Sequence, residues 1–175
     1  PADERVQEAW RAYHEGRFQE AVSIGQAHGG AGLVPAAFAA TIYANYLETN
    51  EKNKLALFLE VSERAEAQIA AEPDNANAHY QLAYAIGRYG QGISVAKALA
   101  QGLGTKVKGG LETAIKLSPK HADAHIALGS FHAEVIDKVG SLLGKTQGAS
   151  KATGLAMYQQ ALKLSEQLDS TASMS

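Results

Sequence analysis

Apolar residues recur three and four positions apart through almost the whole chain, the spacing of one face of an α-helix. Alanine and leucine fill those positions, where β-branched runs would mark strands. The pattern predicts an all-α chain, with helices at about 3–14, 17–28, 35–49, 53–72, 75–88, 93–117, 121–143 and 150–168. Pro35, Pro73 and Pro119 each head an alanine-rich stretch, where a residue with fixed φ and no N–H suits the first turn. Glycines gather at 29, 30 and 32, again at 87, 90 and 92, and at 144 and 148, and are read as turns. The polar end at 169–175 is expected to fray, leaving 1–168 as one domain.

The chain also repeats itself. Pro73 to Leu82 aligns without a gap on Pro119 to Leu128, matching at the proline, two alanines, His79 with His125, and the leucine, at a shift of 46 residues. Leu111 to Ser118 aligns on Tyr158 to Ser165 at a shift of 47. Two segments that move together at one period make the repeat a pair of helices, and a pair cannot bury its apolar face without a neighbour.

Ala-x-Ala-His-x-x-Leu followed by Ala or Gly, opening one helix, and Ala-Ile/Leu-Lys-Leu-Ser, closing the next, resemble tetratricopeptide repeats. Ala9, Ala12, Gly16, Phe18 and Ala21 resemble the same unit near the start of the chain, and small residues at the crossings (Ala83, Gly129, Ala114, Ala161) agree with it. The usual unit is about 34 residues, so each hairpin here carries roughly a dozen more. Lengthened hairpins with Lys106, Lys108 and the run from Phe131 to Glu134 are similar to those of the regulator-of-microtubule-dynamics group and of periplasmic tetratricopeptide proteins that accompany substrate-binding-protein transporters. The resemblance implies a right-handed array of about four antiparallel hairpins, a tetratricopeptide-like superhelix. It also implies a concave groove lined by the first helix of each hairpin. It places Asn77, Tyr80, Tyr84 and Arg88, with Asp123, Ile126 and Ser130 from the next hairpin, toward that groove. The basic residues of the carboxylate-clamp type are not recognisable.

Composition narrows the function classes. The chain has 175 residues, 46% of them apolar, a net charge of −2 and no cysteine. A core can therefore form without disulfide or metal staples, and thiol chemistry is excluded. No stretch approaches the roughly 18 apolar residues of a membrane span. A first residue of Pro is expected of a chain whose start has been removed, as a signal peptide would be, and a periplasmic location is expected, with the cytoplasm as the alternative. Charge is uneven: residues 1–76 hold twelve acids against six bases, residues 77–175 six against ten, and 87–110 holds no acid.

Chemistry-bearing patterns are few. His121, His125 and His132 fall at helical spacing and could approach a metal, but the recurrence of His79 as His125 fits a packing residue better. The carboxylate pairs Glu63 with Glu66 and Glu134 with Asp137 lack a nucleophile beside them and read as solvated surface. The string from Gly140 through Gly144, Lys145 and Thr146 has three residues between its glycines where a phosphate loop needs four, and no strand precedes it. Residues 92–111 form a basic amphipathic stretch, read as the lengthened second helix of a hairpin, with Gly102 and Gly109 admitting a close neighbour. No catalytic residue, metal or cofactor is expected. The expected function is a non-enzymatic scaffold that binds a protein or peptide partner in the concave groove, with no nucleic acid and room for a homo-oligomer. The alternative is a carrier of a small apolar ligand in a pocket inside the array.

Overall fold

In the computed structural model, the structure describes residues 2–146, 150–157, 159, 160 and 163. Among them there is no strand, and the chain runs through α1 (Ala2–His14), α2 (Phe18–His28), α3 (Leu33–Ile42), α4 (Glu51–Ala71), α5 (Ala76–Ile93), α6 (Val95–Ala100), α7 (Leu103–Leu117) and α8 (Ala122–Thr146). Residues 151–157 are helical again. The tail at 169–175 and, within the last predicted helix, residues 158, 161, 162 and 164–168 lie outside the described residues. No described helix is long and apolar enough to cross a membrane.

Caps explain the boundaries. Asn50 and Asn75 hold extended backbone ahead of α4 and α5, and their side chains accept from the N–H groups of Asn53 and Ala78 at 3.1 and 3.0 Å. α5 and α8 start at Ala76 and Ala122, the 46-residue shift of the sequence repeat. The repeated histidine has a specific task there. His79 Nε2 lies 2.7 Å from the carbonyl of Pro73, and His125 Nε2 lies 3.0 Å from the carbonyl of Pro119, so each ring donates back across the turn that begins its hairpin.

Helices pack in sequence as antiparallel pairs: α1 with α2, α3 with α4, α5 with α7, and α8 with the helical residues that follow it. α2 also packs on α3, α4 on α5 and α7 on α8, which stacks the pairs into an array. The main core joins Tyr80, Ala83 and Ile86 of α5, Val107, Leu111 and Ala114 of α7, and Ala124, Leu128, Phe131 and Val135 of α8. Alanines at the earlier crossings (Ala12, Ala21, Ala39, then Ala40, Ala85) carry the contact through the first half.

Three helices depart from expectation. α3 passes at Tyr43–Leu47 into a π-helical turn that ends at Glu48. α8 is interrupted at Gly140, where φ is 76° and ψ 162°. The third departure matters most: the single helix expected at 93–117 is two helices. α5 runs on through Gly87, Gly90 and Gly92, and the chain breaks at Ser94 (φ 100°) and at Gly102 (φ 75°) on either side of α6. Ser94 still caps α6, its hydroxyl accepting from the Lys97 N–H at 3.3 Å. The glycine cluster is thus a surface for close approach: a Cβ on Gly90 would stand 3.0 Å from that of Ala98 in α6. In α7 the same role belongs to Gly110, whose Cβ would stand 3.1 Å from that of Ala83, while Gly109 faces open space.

Candidate functional site

α5 and α8, the first helices of successive hairpins, flank a cleft of about 250 Å³. On α5 the lining positions are 80, 83, 84, 86, 87, 88, 90 and 91, and on α8 they are 123, 126, 127, 130, 131, 134 and 135, so both helices present a stripe built on three- and four-residue steps. Val107 and Leu111 of α7 form the floor. The remaining wall is the added segment, Val95, Ala98 and Leu99 of α6 with Leu103 and Gly104 at the head of α7. The extra residues of the lengthened hairpin therefore fold into the side of the cleft.

Six of the seven residues placed toward a groove by sequence line this cleft: Tyr80, Tyr84, Arg88, Asp123, Ile126 and Ser130. Asn77 does not. Its Oδ1 faces His121 Nε2 at 3.1 Å and ties the start of α5 to the start of α8. Tyr80 is mostly core, 8% exposed, so it forms the inner end of the cleft. Sequence reasoning did not find the α6 wall, Gln91 or Glu134; one more step of the 80, 84, 88 series reaches Gln91, and that signal was available.

A line of hydrogen bonds crosses the mouth. Arg88 donates to Asn45 Oδ1 in the π-helical turn and, at 2.7 Å, to Gln91 Oε1. Gln91 Nε2 in turn donates to Glu134 Oε2 of α8 at 2.6 Å. Burial holds the Tyr84 hydroxyl above its ordinary pKa, with the Arg88 charge opposing. Burial raises Tyr80 further, helped by Asp123. His121 is pushed below its ordinary value by burial, with Asp123 pulling the other way.

Aromatic rings continue the surface beyond the cleft. Trp10 of α1 lies 5.8 Å from Phe38 of α3, Phe38 lies 6.2 Å from Tyr80 of α5, and Tyr80 lies 4.9 Å from His121 at the head of α8. One ring from the first helix of each pair forms a ladder along the array.

The other candidates come apart. His125 is buried at 5% exposure with Nδ1 3.4 Å from Met157 Sδ, and His132 Nδ1 accepts from the Ser150 N–H at 3.0 Å, so the three histidines of α8 face separate partners. Among the described residues no group of three or more metal-binding side chains stands together. Glu63, Glu66 and Asp137 are exposed. Asp123 and Glu134, eleven residues apart on one helix, are separated by about 16 Å of axial rise and cannot share a proton.

The family model described as regulator of microtubule dynamics protein 1-3 matches residues 33–172. The chain belongs to that family. The match spans α3 to α8, and so includes the whole of the cleft. No curated protein sequence matches the chain. Among solved structures it is similar to one described as "MamA RS-1 ArsTM double mutant", with 18% identity over 97% of each chain and a TM-score of 0.44.

Proposed function

We propose that this member of the regulator-of-microtubule-dynamics family is a non-catalytic scaffold that binds a protein or peptide along the face formed by its first helices, with Tyr80, Tyr84, Arg88, Asp123, Ile126 and Ser130 in contact and Asn77 holding the two helices in register. The observation that carries this reading is the convergence of those six side chains, from two helices and 50 residues of chain, on one open cleft continuous with the aromatic ladder. Tyrosine and arginine are the side chains that anchor interfaces, because each combines large contact area with a polar tip. The family is named for regulating microtubule dynamics, an action on a protein polymer, which suits a protein-binding surface.

The apolar lining also favours a second reading, a carrier of a small apolar ligand. At about 250 Å³ the cleft falls below the roughly 300–1,000 Å³ usual for small-molecule pockets, which favours the first. The test is a random peptide library displayed on phage and selected on the purified protein, followed by titration of synthetic hits against the parent, Tyr84→Ala and Glu63→Ala. Tyr84→Ala is expected to weaken binding by about 2 kcal/mol while Glu63→Ala, on the solvated face of α4, leaves it unchanged. Equal affinity for all three proteins would refute the assignment.

A further inference from the structure

Arg88 stands at the mouth of the cleft, and among the described residues its charge is met by dipoles. Among the described residues its hydrogen-bond partners are two neutral amides, Asn45 and Gln91. The nearest carboxylate in that line, Glu134, is one side chain removed and receives the Gln91 amide. A guanidinium fork is built to take a carboxylate through two parallel N–H groups, and such charge-assisted bonds are stronger than bonds to neutral amides. Gln91 is exposed and Asn45 half-buried, so both can turn aside.

Behind Arg88 the cleft is walled by the apolar side chains of Leu99, Leu103, Val107 and Phe131, and its volume of about 250 Å³ lies at the small end for ligand pockets. It has room for one large side chain or two. The mouth is bordered by exposed apolar surface, Ile126 at 45% on α8 and, beside Asn45, Tyr46 at 72%. Asp123 and Glu134 on the same rim repel a polyanion, which disfavours a phosphate backbone.

We propose that the α5–α8 cleft recognises a peptide that seats one bulky apolar side chain between Leu99 and Phe131 and places a neighbouring carboxylate on Arg88, displacing Gln91. This specificity rests on the protein-binding reading above and can fail without it. Among the described lining residues the basic group is Arg88, the point at which a carboxylate would be received; Lys97, Lys106 and Lys108 of the acid-free stretch lie outside the cleft.

The experiment uses the displayed library and the full chain. Selected peptides are expected to share a bulky apolar residue with Asp or Glu close beside it. The best peptide is then synthesised with two twins, one with its acid replaced by the amide and one with its apolar anchor replaced by Ala, and all are titrated by fluorescence anisotropy. Losing the acid should cost the parent protein roughly tenfold in affinity, and Arg88→Gln should erase that difference between the acid and amide twins. Ala127→Phe, which fills the cleft, should weaken the anchored peptide by roughly tenfold or more. Ile126→Glu, at an exposed position that folding tolerates, should do the same by repelling the acid, and circular dichroism checks that both variants keep their helices. Peptides that bind all variants alike, or that depend on Trp10 and Phe38 and not on Ala127, would overturn the cleft motif and leave the scaffold standing. No selectable peptide, together with uptake of the dye anilinonaphthalene sulfonate that Ala127→Phe abolishes, would overturn both in favour of the carrier.

Discussion

Gly109 and Gly110 are neighbours on α7, yet they face opposite environments, and that contrast tests the hairpin at its tightest point. Gly110 looks onto α5, where an added Cβ would stand 3.1 Å from Ala83 Cβ and 3.3 Å from the His79 carbonyl; Gly109 has nothing within 4 Å. Replacing either by alanine removes the same backbone freedom from the unfolded chain and gains about 0.5–1 kcal/mol of helix propensity. At Gly110 the gain meets overpacking. Ala83 is 1% exposed, and the His79 carbonyl belongs to the backbone of α5, so neither can retreat without moving a helix. Such overpacking costs about 1–3 kcal/mol. Gly109→Ala is therefore expected to stabilise by about 0.5–1 kcal/mol, and Gly110→Ala to range from neutral to about 2 kcal/mol destabilising. Thermal melts followed by circular dichroism resolve the two, since 1 kcal/mol moves the midpoint by about 2–4 °C at this chain length. Equal stabilisation by both substitutions would refute the close approach of α5 and α7, and with it the floor of the cleft.

Asn75→Ala should cost about 1 kcal/mol in the same melts by removing the cap on the Ala78 N–H, and Asn75→Asp should restore most of it. His121 and His132 are both held below the ordinary histidine pKa by burial, His132 also by Lys108, so between their lowered values and about 6.5 the unfolded chain binds more protons than the folded one. Stability should therefore hold above about pH 6.5 and fall as the pH drops below it, and urea titrations at stepped pH should show a shallower fall for His121→Gln. Zinc should leave the melting temperature unmoved, because binding only the folded state at 100 times its dissociation constant would add about 2.7 kcal/mol; a rise with zinc but not magnesium would reverse the account of the α8 histidines.

The array was legible where local chemistry decides structure. Helices starting at Ala76 and Ala122 follow from a proline, a capping residue and an alanine face, and those signals recur at one period. The break at Ser94 was not legible, because Val95 to Ala100 has ordinary helix-forming composition and Gly87, Gly90 and Gly92 look like the better turn. Glycine serves turns and helix crossings equally well, and only the neighbouring helix tells them apart. The groove positions came from the resemblance, which sets the first helix of each hairpin along a groove; six of the seven line the α5–α8 cleft, and Asn77 does not. The links from Asn45 to Arg88 and from Gln91 to Glu134 were not found: each joins residues 43 apart whose pairing depends on how hairpins stack, which no local pattern records.

α6 is bounded by two abrupt backbone turns, at Ser94 and Gly102, while α5 and α7 on either side keep their contacts with each other. Those two turns act as splice points. A segment of similar length could be exchanged between them, replacing one wall of the cleft, provided it keeps a small residue where Ala98 meets Gly90 of α5. A library randomised at Val95 and Leu99, with Ala98 kept small against Gly90, would vary that wall while holding the contact between α6 and α5.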